Sequence, residues 1–413
     1  MRQRRIMNLG GLFALLLILV CGAAVSNHNF PAVQNAPESA PVVIPFELLG
    51  RHILIKARIN NSDPLWFIFD TGDDVAIVDM NRARALGLNL HGEAHSGGAG
   101  PGSLRGSYVR NATLRVVGLE GNPQPVVLSL PLNLGPRLGH DIDGIIGAGF
   151  IKQFVVEVDY SARVLRLHDK KRFLYSGSGE IIPINLNSAG HPSIPAEITL
   201  TGRPPIKGEF VIDTGSGAAL VLHRPFVEQQ HLLGPAQEKT IRLLGGGGAG
   251  GKIKGRVGRI AGLRIGKFQI DHPPTLFSED KGGAFASSEF DGNIGGQILS
   301  KFKILLDYGR SRIILEPNDT FKDLINPSSS GLKLVADGSD YKSFRVEEVL
   351  EESPATEAGL QKDDVILAVD GRTATELTLM TLNETLEKPG PHKLSVRRGA
   401  IRLQITLIPR RLI

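Results

Sequence analysis

Only one cysteine, Cys21, occurs in the 413 residues, and it falls inside a hydrophobic run near the N-terminus. Disulfides, cysteine-ligated metals and thiol nucleophiles are therefore excluded for everything downstream. Aromatic residues are scarce at 6%, with one tryptophan. Stretches of helical periodicity are short, the best being Met80–Leu86 and Pro225–His231, which argues against a helical bundle. The eleven histidines form no His-Glu-x-x-His or close acidic cluster, so no metal site is expected. A Gly-x-Ser-x-Gly elbow is also missing. Charge of one sign is lacking as well: the net charge is +5, and Arg2, Arg4 and Arg5 supply three of those charges. Residues 331–413 carry 12 Lys and Arg against 13 Asp and Glu. Without a domain-sized basic field, a nucleic-acid partner is disfavoured. Gly246–Lys252 has the outline of a phosphate loop, but Ile253 replaces the required Ser or Thr, so no nucleotide or other cofactor is expected.

What the chain does have begins with a three-part leader. Met1–Arg5 is basic, Leu12–Val20 is unbroken apolar sequence, and Gly22-Ala23-Ala24 offers small residues for cleavage. Residues 1–25 thus read as a secretory signal or a retained membrane anchor, which predicts export to the periplasm or cell envelope. Residues 26–41 read as a flexible leader.

The body of the chain is a duplication. Leu65–Phe69 and Phe210–Ile212 are apolar, strand-forming runs, and each ends in Asp-Thr-Gly. Asp143-Gly144-Ile145-Ile146-Gly147 returns as Asp291-Gly292-Asn293-Ile294-Gly295, and Phe154–Tyr160 returns as Phe302–Tyr308. The spacing is 143 residues for the first element and 148 for the other two. Three elements in one order at a nearly constant offset mean two copies of one fold, and a period this long excludes a solenoid. The copies are placed at 42–172 and 173–318, with a linker at 319–330. Glycine, at 49 residues, punctuates short runs of Val, Ile, Leu and Phe, which predicts all-β lobes.

An Asp at the end of a buried strand is rigidly held, a following Thr can fix its loop by hydrogen bonding, and Gly permits close approach. Two such loops facing each other would share one proton between their carboxylates and activate a water without metal or covalent nucleophile. Over roughly Val42–Leu315 the two Asp-Thr-Gly triplets and their paired apolar-Gly elements resemble aspartic proteases of the pepsin/retropepsin type. That resemblance implies a mainly β, bilobal, double β-barrel fold. It also implies that Asp70 and Asp213 are the catalytic pair, that Thr71 and Thr214 interlock the loops, and that a polypeptide substrate binds between the lobes. Gly72, Gly215 and Ser216 complete the loops as in that family. Asp73 departs from it, standing where Ser, Thr or Ala is usual: it either raises the proton affinity of the pair or points to solvent. Asn293 is a second, smaller departure. Gly97–Gly102 and Gly245–Gly251 occupy the places of the family's flaps, giving Gly98, Gly100, Gly247 and Gly248 as candidate flap tips; plain flexible loops are the equal alternative. His223 reads as a strand or surface residue.

The C-terminal succession Phe344–Val349, Glu352-Ser353-Pro354-Ala355, Ala358-Gly359-Leu360 and Asp363–Gly371 resembles a bacterial PDZ domain, placed at 331–411. Leu377–Leu386 is its expected amphipathic helix. The resemblance implies capture of a peptide or protein C-terminus by strand addition, with Gly331, Leu332, Lys333 and Leu334 as candidate carboxylate-binding loop and strand. The expected function is an exported aspartic endopeptidase with a polypeptide-recruiting PDZ module. The alternative is a noncatalytic peptide-binding or sensing protein on the same fold. A further reading makes the PDZ module an intramolecular regulator of the cleft.

Overall fold

The computed structural model describes residues 40–413, apart from 117–118, 120–121, 124–126, 235–238 and 326–329. The expected signal with Cys21, nearly all of the leader, and part of the 319–330 linker lie outside the described residues. Among the described residues no helix is long and apolar enough to cross a membrane. The chain is mainly β, with 45% strand and 13% helix.

The duplication governs the topology. In the first lobe the sheet runs through Leu90–Ser96, Leu104–Val109, Val127–Leu130, Ala76–Asp79, Gly144–Ile146, Leu65–Phe69, His52–Ile59, Thr113–Val116 and Asn122–Pro123. The second lobe repeats that order strand for strand, from Ile241–Gly248 through Leu220–Leu222, Gly292–Gly295 and Ile206–Asp213 to Phe268–Asp271. Each path is open, and no closed barrel occurs among the described residues. The candidate helices near residues 80 and 225 are present as Met80–Ala85 and Arg224–Gln229.

The lobes meet in a third, six-stranded sheet ordered Val42–Pro45, Val164–His168, Val155–Asp159, Phe302–Asp307, Arg312–Pro317 and Glu180–Pro183. At its centre Val155 faces Asp307, Glu157 faces Leu305, and Asp159 faces Lys303. Glu157 and Leu305 are repeat equivalents, so the pseudo-twofold axis passes between them. One apolar core, including Phe67, Phe69, Val156, Phe210, Ile304 and Leu306, runs through both lobes and this sheet. Near-continuous runs of Val, Ile, Leu and Phe on strands buried on both faces, such as Leu65–Phe69 and Phe302–Asp307, supply it.

The C-terminal unit has its own core around Phe344, Val346, Ile366, Leu382 and Val396. Its sheet runs Leu332–Asp337, Ser343–Val349, Val365–Val369, His392–Arg398, Ile401–Leu407, leaving Leu332–Asp337 as an edge strand. The amphipathic helix starts two residues later than expected, at Leu379–Glu387, because the Thr378 hydroxyl accepts the Thr381 N–H and caps it there. This unit is docked on the lobes. The first lobe's Gly135–Leu138 turn lies beside the edge strand, and a Cβ added at Gly139 would meet Leu379 Cβ at 2.7 Å and Ala336 Cβ at 3.7 Å. Tyr341 donates its hydroxyl to Asp141 (3.1 Å), and Arg137 stands 3.5 Å from Glu347. On the second lobe, buried Arg259 donates to the main-chain oxygens of His272, Ile325 and Ile413.

Candidate active site

Each Asp-Thr-Gly loop is aimed by a carboxylate from the second recurring element of its own repeat. Asp143 accepts the Trp66 N–H (2.8 Å) at the start of the strand leading to Asp70. Asp291 likewise accepts the Glu209 N–H (2.8 Å) on the strand leading to Asp213. The Ile145–Ile146 and Asn293–Ile294 strands then pair in parallel with those strands, and the Asp70 N–H bonds to the Ile146 carbonyl (3.0 Å). The repeated Asp-Gly-x-Ile-Gly thus sets the height at which each Asp-Thr-Gly loop begins.

The loops interlock through their threonines. Thr71 N–H donates to Thr214 Oγ1 (3.1 Å) and Thr214 N–H to Thr71 Oγ1 (3.0 Å). The hydroxyls in turn donate across the axis, Thr214 to the Phe69 carbonyl (2.9 Å) and Thr71 to that of Ile212 (2.5 Å). Both threonines are fully buried. Their glycines make room for the acids. A Cβ at Gly72 would sit 2.9 Å from Asp213 Oδ1 and 3.2 Å from Asp70 Oδ1, and one at Gly215 would collide with the Asp70 carboxylate at 2.0–2.3 Å. The two carboxylates therefore converge on one place between the lobes.

Their electrostatics are unequal. Burial, then the charges of Asp213 and Asp73, hold the Asp70 carboxyl well above the usual carboxylate range, against the lowering effect of the Gly72 and Gly215 N–H groups. Burial also raises Asp213, opposed chiefly by the Asn293 side chain and by the Ser216 and Gly215 N–H groups. Asp73 is not simply turned to solvent: burial and the adjacent Asp74 push it up to about 7, despite N–H donors from Val75 and Asp74. Its counterpart Ser216 accepts the Ala218 N–H (3.4 Å).

His223 is not a surface residue. It is 2% exposed, and its Nε2 lies 2.7 Å from Asn293 Oδ1, while Asn293 Nδ2 donates to Asp213 Oδ2 at 2.7 Å. The signal available in the sequence was the broken repeat: a polar Asn in the slot that Ile145 fills in the other copy.

The Gly-rich stretches are hairpin tips, and they touch. Gly100 N–H donates to the Ala249 carbonyl and Gly102 N–H to that of Gly250, both at 2.8 Å, while Gly98 O accepts the Ala284 N–H (2.9 Å). Gly98 allows no side chain, since a Cβ would lie 2.2 Å from Ala249 O. Gly247 and Gly248 end the strand running into the second tip, Gly247 pairing with Lys252 and Gly248 with Gly251. Ala99 packs on the second lobe's cluster of Val221, Ile253, Leu276 and Phe285. In the C-terminal unit Leu332–Leu334 begin the edge strand, and Gly331, at φ +77°, lies against Ser353 and accepts the Leu350 N–H (2.9 Å). These four residues are remote in the fold from the Asp pair, on a separate core.

Two interlocked Asp-Thr-Gly loops, one per lobe, on a shared interlobe sheet define an aspartyl-protease-like bilobal unit, and the chain ends in a PDZ domain. Residues 55–150 match the family model for an aspartyl protease and residues 320–397 that for a PDZ domain. Serine protease HTRA1 of Xenopus laevis is 25% identical over 178 residues, covering 42% of this chain and 35% of that protein. The chain thus spans about a third of that relative's length. Among solved structures, an HtrA3 PDZ domain bound to a phage-derived ligand is 26% identical, covering 19% of this chain and 82% of its own, with a TM-score of 0.18. Basic 7S globulin from soybean covers 70% of this chain and 99% of its own at 12% identity, with a TM-score of 0.42.

Proposed function

We propose that the protein is an exported endopeptidase of the aspartic type. The observation that carries this reading is the convergence of Asp70 and Asp213 above a buried, reciprocal pair of threonines. One carboxylate, ionised, takes a proton from water as the water oxygen attacks the peptide carbonyl carbon. The other, protonated, gives its proton to the carbonyl oxygen, and the resulting gem-diol collapses with proton transfer to the leaving nitrogen. Like charges held this close favour a single shared proton. The touching hairpins act as a pair of flaps that part to admit polypeptide. The PDZ domain recruits or positions substrate through a peptide C-terminus taken up beside Leu332–Asp337. Export rests on residues 1–25 alone.

Asp73 supports a second reading, a noncatalytic peptide-binding protein, because a third acid beside Asp70 disturbs a two-acid site. The test is incubation of the mature protein with an unfolded polypeptide from acidic to neutral pH. Cleavage abolished in both Asp70→Asn and Asp213→Asn supports the enzyme. Retained peptide binding without cleavage at any pH supports the second reading.

A further inference from the structure

The two lobes match strand for strand, yet behind the acids they differ. Gly144 pairs with Val78 and Gly292 with Leu222, so Asp79 is the counterpart of His223, and Ile145 that of Asn293. Asp79 N–H and His223 N–H even bond to the same repeat carbonyl, that of Asp143 (2.7 Å) or Asp291 (2.9 Å). Behind Asp70, Asp79 turns away to cap Asn81 and accept the Leu132 N–H, and Ile145 offers no donor. Behind Asp213, the two polar side chains form a line: His223, Asn293, Asp213.

The direction of that line is fixed by chemistry. The Asn293 amide can only donate from Nδ2, so its Oδ1 faces His223 as an acceptor, and the imidazole must carry its proton on Nε2. Burial lowers the proton affinity of His223, against the Asn293 side chain, the Phe290 and Ser287 backbone and the charge of Asp291, and the ring lies tilted at 42° to that of Phe285, 5.4 Å away. A donor locked onto Asp213 Oδ2 stabilises the ionised carboxylate and cannot serve the acid form at that oxygen. Asp70 has the opposite surroundings, with the charges of Asp213 and Asp73 beside it.

We propose that Asn293, oriented by His223, is a positioning residue that keeps the charge of the pair on Asp213 and its proton on Asp70. This rests on the aspartic reading for its catalytic meaning: Asp213 becomes the base toward water and Asp70 the acid toward the carbonyl. The groups bearing on Asp213 are Asp70 from the other lobe, His191 from the turn before Pro192–Thr199, the N–H groups of Gly215 and Ser216, and Asn293 itself. Of these, Asn293 and His191 are replaceable without touching the loops or the acids, and His223 bears on Asp213 only through Asn293.

The experiment is a carbon-13 carboxyl NMR titration of aspartate-labelled protein, with Asp213→Asn and Asp70→Asn for assignment, run on wild type, Asn293→Val, His223→Leu and His223→Gln. Where wild type cleaves polypeptide, kcat/KM is measured against pH on the same set. Asn293→Val should move the Asp213 titration, and the acidic limb of the rate profile, upward by about one pH unit, the size expected for one lost hydrogen bond to a charge. His223→Leu should give part of that shift, and His223→Gln, which keeps a side-chain N–H donor, should restore it. An unmoved Asp213 titration in folded Asn293→Val, or equal shifts for the Leu and Gln variants, overturns the proposal. A shifted titration in a protein that cleaves nothing upholds the charge placement and rejects the enzyme.

Discussion

Replacing Thr214 with Val removes two hydrogen bonds while keeping the side chain's shape. The Thr214 hydroxyl accepts the Thr71 N–H at 3.1 Å and donates to the Phe69 carbonyl at 2.9 Å, in a place with no solvent access. Valine fills the same volume, so no cavity forms, but the Thr71 N–H is left without its partner in the core. An orphaned buried donor costs about 1–3 kcal/mol, and the second bond adds about 1 kcal/mol, so the expected loss is roughly 2–4 kcal/mol. That is a large share of the ~5–15 kcal/mol by which a native domain is stable. Trp66, the single tryptophan, sits in the strand leading to Asp70. Its fluorescence in a urea titration therefore reports on the lobes and not on the PDZ domain. Thr71→Val should behave alike, and the double variant should cost less than the two single losses together, since either change lets the loops part. A Thr214→Val loss below about 0.5 kcal/mol, or strict additivity, would refute the claim that the threonines hold the lobes in register.

Gly215→Ala should reduce cleavage at least ~100-fold while the protein stays folded, because its Cβ would displace the Asp70 carboxylate and misplaced catalytic groups cost on that scale; wild-type kcat in a folded variant would contradict this. Asp73 binds its proton more tightly in the folded chain, with its affinity raised to about 7. Stability therefore falls as pH rises from the unfolded carboxylate value toward 7 and levels off above. Asp73→Asn should raise the melting temperature at pH 8 and change it little at pH 4; equal effects at both would count against this. Gly139→Asn keeps a backbone that tolerates positive φ but places a side chain against Leu379. By displacing the Gly135–Leu138 turn from the edge strand it should strengthen binding of a C-terminal peptide to the full chain, read by fluorescence anisotropy; unchanged affinity would show that the turn does not compete.

The lobes were legible because their elements recur at fixed offsets, and the acids because each ends an apolar strand. Sequence order conveys such local patterns directly. What it conceals are partnerships between residues whose individual appearance is ordinary. His223 and Asn293 are 70 positions apart, and neither is conspicuous until Leu220–Leu222 and Gly292–Gly295 pair. The mutual contact of the hairpin tips is made by backbone groups of glycines and Ala249, whose side chains carry little code for a partner. Docking of the PDZ domain relies on Gly139, Arg137 and Tyr341, which read as loop residues. The Gly246–Lys252 stretch spans the tip of the second lobe's hairpin, between the strands Ile241–Gly248 and Gly251–Arg259.

The register at the middle of the interlobe sheet is that of a symmetric pairing, since Glu157 lies opposite its own repeat equivalent, Leu305, yet the side chains there already differ between the halves. The link through the exposed Lys170 and Lys171 then contributes effective concentration more than fit. What covalent continuity adds is the freedom to be unequal. In a dimer of identical halves every substitution appears twice, so an acid beside one carboxylate and an amide behind the other cannot coexist without their mirror images. Asp73 and Asn293 are changes that only a single chain can hold separately.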